Sequence, residues 1–88
     1  MKLLSSVFVT EVDGEFVAVA AGEAAKKFSG MIQMNGTAAF VVGRLQNNTT
    51  VDGLVADLVA EYDVTEEVAR RNVEGILSNL RKAGWLEE

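Results

Sequence analysis

Few side chains in this chain could do chemistry, and their spacing points to surface pairing more than to catalysis. Glu66 and Glu67 are the most suggestive carboxylate pair, but acid–base work requires surroundings that hold two such pKa values apart. Placed directly after Thr65, at a predicted helix start, they read as partners of the helix dipole. Arg70 and Arg71 could grip a phosphate or a carboxylate; on a long helix they read as a solvated face paired with Glu66, Glu67 or Glu74. Met31 and Met34 offer thioethers, which adapt to many partner shapes. The sequence has no Cys and no His. Thiol nucleophiles, imidazole bases, disulfides and the usual zinc, copper or iron ligands are therefore missing together. No segment supplies G-x-x-x-x-G-K-[ST], the phosphate-cradling loop. The Asn-x-Thr matches Asn35-Gly36-Thr37, Asn47-Asn48-Thr49 and Asn48-Thr49-Thr50 are better explained by cap and turn chemistry. The expectation is a protein with no catalytic residue, no metal and no cofactor.

The chain must then act through its surface, and its charge narrows the choice of partner. With 8 basic and 13 acidic residues and a net charge of -5, it repels a phosphate backbone, so nucleic acid is not the expected partner. No apolar run approaches the roughly 20 residues that cross a bilayer, and the stretch before Val7 lacks a secretory core and cleavage site. A cytoplasmic protein without membrane contact is expected. With 88 residues, 49% of them apolar, and no internal repeat, one domain over residues 1–88 is expected, too small for a deep substrate cavity.

The elements that position the surface are legible in turn signals, caps and periodicity. Val7 to Val12 and Glu15 to Ala20 flank Asp13-Gly14, the pair that suits a type I′ hairpin. In that register Phe8, Thr10, Val12, Val17 and Val19 share one face, and Val7, Val9, Glu11, Phe16 and Ala18 the other. Neither face is cleanly polar, so either one is apolar by chance or it meets a partner. Gly22 to Lys27 reads as a connector, too short and too charged for a core helix. Phe28 to Met34 alternates and is predicted as a third strand. Asn35 caps a predicted helix from Gly36 to Gln46, and Thr50 caps a second one with Leu54, Val55 and Leu58 on its apolar face. Thr65, Glu66 and Glu67 open a third helix, which Arg81, Lys82 and Gly84 close; Ala69, Val73, Ile76, Leu77, Leu80 and Ala83 form its buried stripe. Trp85 and Leu86 are expected to fold back onto the core. The predicted class is α+β, winged-helix-like, with a three-stranded antiparallel sheet followed by a three-helix bundle in the order βββααα.

This layout resembles the PqqD-like family, named for pyrroloquinoline quinone biosynthesis protein D. The residues that carry it are Val12 to Glu15, Gly30 to Asn35, Thr37-Ala38, Thr50, Leu54-Val55, Tyr62-Asp63-Val64, Glu67, Val73, and Leu77 through Leu80 to Gly84-Trp85-Leu86. They span nearly the whole chain, and the match lies in their order and spacing. The sequence departs from the pattern at Met34, where leucine is common before the asparagine, at Gly36, and at Val41, where tryptophan is frequent. The resemblance implies a module that recognises the leader of a ribosomally made precursor peptide and presents it to a modifying enzyme, commonly a radical S-adenosylmethionine protein. It further implies that the leader lies along the third strand and over the third helix.

The residues agree with that implication on their own terms. A third strand after a hairpin has a free edge, and Ser29, Met31 and Gln33, with no proline, leave that edge open to strand addition. The candidate peptide-binding residues are Phe28, Ser29, Gly30, Met31, Ile32 and Gln33 on the strand, with Arg70, Val73, Glu74, Leu77 and Arg81 on the helix. Met31, Val73 and Leu77 are the apolar contacts in this reading, and Arg70, Glu74 and Arg81 the charged rim. Two rival readings are a winged-helix DNA-binding regulator using Arg70 and Arg71 and a structural homodimer joined through the apolar hairpin face. The expected state is a monomer or weak homodimer.

Overall fold

The Asp13-Gly14 pair fixes the first element of the architecture. In the computed structural model, which describes residues 1–88, Asp13 has φ 52° and Gly14 φ 82°, the two positive angles of a type I′ turn. Strand β2 (Val7–Val12) pairs antiparallel with β3 (Glu15–Ala20), Val12 opposite Glu15 and Val9 opposite Ala18. Strand β4 (Met31–Met34) adds to the far side of β3, with Ile32 opposite Ala18 and Met31 opposite Val19, giving the order β2-β3-β4. Two further strands, β1 (Lys2–Leu3) and β5 (Leu86–Glu87), pair with each other and join the two ends of the chain.

The hairpin's ambiguous faces are resolved by packing. Val7 and Ala18 are buried, with Val9 and Ala20 packed against the core, whereas Phe8 is 59% exposed and Val12 53%. The face carrying Val7 and Ala18 meets the helices, and the one carrying Phe8, Val12, Val19 and Met31 looks outward.

Each long helix starts at its predicted cap. Asn35 Oδ1 accepts from Ala38 N at 2.9 Å to open α2 (Gly36–Arg44), and Thr50 Oγ1 accepts from Gly53 N at 3.0 Å to open α3 (Val51–Glu61). Thr65 Oγ1 accepts from Val68 N at 3.3 Å to open α4 (Glu66–Ala83), which stops at Gly84 with φ 74°. These bonds satisfy amides that the first helical turn leaves without partners. Val41, Val42, Leu45, Leu54, Leu58, Val73, Leu77 and Leu80 interlock beneath the sheet.

Two expectations need correcting between Ala21 and Met34. Gly22–Lys27 is a short helix, α1, with Ala24 fully buried. It forms because Ser6 Oγ accepts from Ala24 N at 3.1 Å, an amide cap supplied from a distant residue, and because Glu23 and the Lys26–Lys27 pair suit its two ends. The third strand consequently begins three residues later than predicted. Phe28 serves as the helix cap, its N–H donating to Ala24 O at 3.0 Å. Trp85 then fixes the turn from the other end of the chain: its Nε1 donates to Ala24 O at 3.1 Å and Phe28 O at 3.3 Å, and its ring is wholly buried.

Candidate functional site

Strand β4 ends the sheet order, so one of its sides has no strand partner. Backbone hydrogen bonds outside the regular elements include none from Met31 to Met34. Alternate N–H and C=O groups therefore point outward unpaired, the condition for strand addition. Beside this edge runs an open groove of about 570 Å³ whose other wall is α4. Ile32, Met34, Ala38, Ile76 and Leu80 give it an apolar floor, and Asn72, Gly75, Ser78 and Asn79 line the helical wall. A smaller hollow of about 250 Å³, formed by Phe28, Ile32, Asn79, Lys82 and Ala83, shares Ile32 and Asn79 with the groove and prolongs it. A channel thus follows the free edge from Asn35 to Phe28.

The Phe28 end is built around a glycine. A Cβ on Gly30 would lie 2.7 Å from Phe28 Cζ, so any other residue here would displace the ring from its place across this position. The ring also meets Trp85, centroid to centroid at 5.7 Å and 52°. The core tryptophan thereby sets the position of a half-exposed aromatic wall. Gly75 presents the opposite case: a Cβ there would meet nothing within 4 Å. Nothing in the chain's own packing requires glycine in the middle of this helix, where it costs stability.

Only part of the predicted site comes together here. Phe28 and Ile32 line the channel, and Gln33 borders it along the strand although, opposite Val17, its side chain shares the outer face with Met31; Ser29 and Gly30 form the turn leading into β4. Met31 is 71% exposed, but its place opposite Val19 puts it on the outer face of the sheet, so it does not line the groove. Val73 and Leu77 are buried in the core and present no surface to a ligand: of the apolar stripe of this helix, Ile76, Leu80 and Ala83 border the channel and these two do not. The charged residues sit on another side of α4. Arg70 donates to Asp52 at 3.0 Å and to Glu66 at 3.4 Å; the Asp52 hydrogen bond foremost raises its pKa. Arg81 Nη2 lies 2.8 Å from Glu88 Oε1, and this hydrogen bond raises the arginine's pKa and lowers the glutamate's. At about 100° per residue, Arg70, Glu74 and Arg81 fall roughly 110–150° round the helix from the middle of the groove wall.

Sequence reasoning missed Asn72, Gly75, Ile76, Ser78, Asn79 and Lys82, together with Arg71 at the Asn35 end. Their signal was present as small and amide side chains at Asn72, Gly75 and Asn79, spaced by three and four along an otherwise regular helix. Such a row beside an apolar stripe marks a helical face that is neither core nor simply solvated.

The family model described as Coenzyme PQQ synthesis protein D (PqqD) matches residues 11–86. The chain belongs to the PqqD family. Two solved structures share the fold of this PqqD-family chain. One is TbiB1 in complex with the TbiA(beta) leader peptide, at a TM-score of 0.75 and 20% identity over 99% of this chain and 95% of that one. The other is a lasso peptide synthetase B1 complexed with the leader peptide, at a TM-score of 0.72 and 24% identity over 99% and 96%. No curated protein matches the sequence. No helix of this PqqD-family chain is long and apolar enough to cross a membrane, and no group of three or more acidic side chains is placed to hold a metal ion.

Proposed function

We propose that this PqqD-family chain is a non-catalytic recognition module. It binds the leader of a ribosomally synthesised precursor peptide as an added strand on β4 and presents it to a modifying enzyme, of radical S-adenosylmethionine type. The observation that carries the reading is the unpaired β4 edge lying beside a channel with an apolar floor and an amide-rich wall. An extended peptide satisfies the free backbone groups, and its alternate side chains drop into the channel. Asn72 and Asn79 can donate to or accept from the parts of the peptide that face the helix. Gly75, which the fold itself does not need, gives the peptide room. Residues 1–88 would act as one recognition domain, with bond-making chemistry left to the partner. Two solved complexes of the same fold with leader peptides support the reading.

The regulator reading finds less support. Arg70 and Arg71, the side chains it depends on, are paired with Asp52, Glu66 and Glu67, and the net charge is -5.

An amide NMR titration of labelled protein with the precursor peptide encoded beside its gene tests the proposal. Shifts should concentrate in Met31–Met34 and at Asn72, Gly75 and Asn79. Shifts confined to the outer face around Phe8 and Val12, or none at millimolar peptide, would overturn it.

A further inference from the structure

The channel is electrically uneven along its length. At the Phe28 end Lys82 lines the hollow, and Lys27, next to Phe28 in the chain, lays its stem against Gly84, where a Cβ would lie 3.1 Å from its Cδ. Neither lysine has a carboxylate within ion-pair distance, although every arginine of the chain has one. At the Asn35 end the balance differs. Arg71 is held by Glu67 at 3.4 Å, and Glu15 borders the adjoining hollow with Gln33, Met34 and Asn35. In a chain that is acidic as a whole, the Phe28 end thus keeps one uncompensated ammonium group lining its hollow, that of Lys82, among otherwise neutral side chains, and a second, that of Lys27, on the residue next to Phe28.

From this asymmetry we infer that the channel selects a peptide carrying a carboxylate side chain where it passes Phe28, and that this charge sets the direction in which the added strand lies. The inference rests on strand addition at β4. Backbone pairing alone accepts a strand in either direction, so direction must come from side chains. β4 runs from the Phe28 end towards Asn35. A peptide added antiparallel, the commoner pairing, has its C-terminal part at Phe28 and carries the acidic residue there, after the apolar residues that fill the floor over Ile32 and Ile76. Each added charge pair lies at the surface, where such pairs contribute modestly and are screened by salt. Charge therefore acts as a selector of direction and partner, while the edge and floor supply most of the affinity.

Synthetic strand-forming peptides of roughly ten residues, blocked at both ends and labelled for fluorescence anisotropy, test this on the intact chain. One carries Glu near its C-terminus, one Gln at that place, and one the Glu near its N-terminus instead. At low salt the first should bind about two- to tenfold more tightly than the other two. That preference should disappear in the Lys27→Gln, Lys82→Gln double variant and at about 0.5 M salt. Both lysines are exposed, so the variant should keep its melting temperature. If all three peptides bind alike and shift the β4 amides alike, charge selection is overturned and strand addition stands. Tighter binding of the N-terminal Glu peptide overturns the assigned direction. If no peptide shifts the β4 amides, strand addition and this inference fail together.

Discussion

Helix α4 has two working sides, and they are built on opposite principles. The side carrying Ala69, Val73, Leu77 and Leu80 is wholly apolar, with those residues at most 2% exposed. The neighbouring side carries Asn72, Gly75, Ile76 and Asn79 and borders an open channel. On the first, the side chains belong to the buried core; on the second, Gly75 leaves space that no residue of the chain fills. The difference teaches how one helix of this size can serve both a core and an open groove. Its buried stripe packs α4 onto α3 and α2, and a helix fixed in this way can hold an adjacent gap of constant width beside β4.

The largest effects should come from the buried side and leave the open side's chemistry intact. Replacing Trp85 with Ala should lower stability by about 3–5 kcal/mol in urea denaturation. It removes a fully buried ring and the hydrogen bonds to Ala24 and Phe28 carbonyls. Leu77→Ala should cost about 2–5 kcal/mol; because Leu77 does not reach the groove, peptide affinity per folded molecule should change little. A Leu77→Ala protein that stays folded yet no longer binds would break the division of α4 into two sides.

Gly75 should behave in the opposite way. Gly75→Ala removes the cost of glycine within a helix and should stabilise the fold by about 0.5–1 kcal/mol, since its Cβ meets nothing. Gly75→Leu should fill the channel and weaken peptide binding about tenfold or more, with the melting temperature unchanged or raised. A gain in stability together with a loss of binding distinguishes a recognition surface from a packing defect. If Gly75→Leu binds the peptide as well as the parent does, the peptide does not cross α4 there.

Much of the scaffold was legible because short-range chemistry decides it. Asp13-Gly14 dictated the hairpin, and Asn35, Thr50, Thr65 and Gly84 each mark a helix end through a local hydrogen bond or a positive φ. The parts that were not legible depend on residues far apart in sequence. Helix α1 relies on Ser6, and the late start of β4 relies on Trp85 binding the Phe28 carbonyl across 57 residues. β1 and β5 exist only because the two ends of the chain meet, with Leu3 opposite Leu86. For the site, the strand edge was readable from order alone, whereas the groove wall was misplaced by part of a helical turn. The apolar stripe of Val73 and Leu77 gave the stronger signal, and a core claims such a stripe before a groove can. Asn72, Gly75 and Asn79, which line the groove, carried the weaker pattern.

A smaller effect should separate the two faces of the sheet. Phe8 and Met31 are 59% and 71% exposed on the outer face, pointing away from the channel. Phe8→Ser should change stability by no more than about 0.5 kcal/mol and leave peptide affinity as it was. If sedimentation finds the parent chain associating and Phe8→Ser monomeric, the outer face is where copies or partners meet. If peptide affinity falls with it, the peptide lies across the sheet and not beside α4.

The smallest effect concerns the charged side of α4, turned away from the groove. The Arg81 hydrogen bond holds the Glu88 carboxyl below its ordinary value of 4.5. A carboxylate whose pKa is depressed on folding adds stability that is present above its unfolded pKa and is lost as pH falls through its folded one. The parent should therefore lose slightly more of its melting temperature between neutral and acid pH than Glu88→Gln does, and salt should narrow the gap because the pair is exposed. Peptide affinity at neutral pH should be the same for both proteins. A clear loss of affinity in Glu88→Gln would mean that the Arg81 side of α4 takes part in recognition, and the helix would then have to be described as binding on both of its exposed flanks.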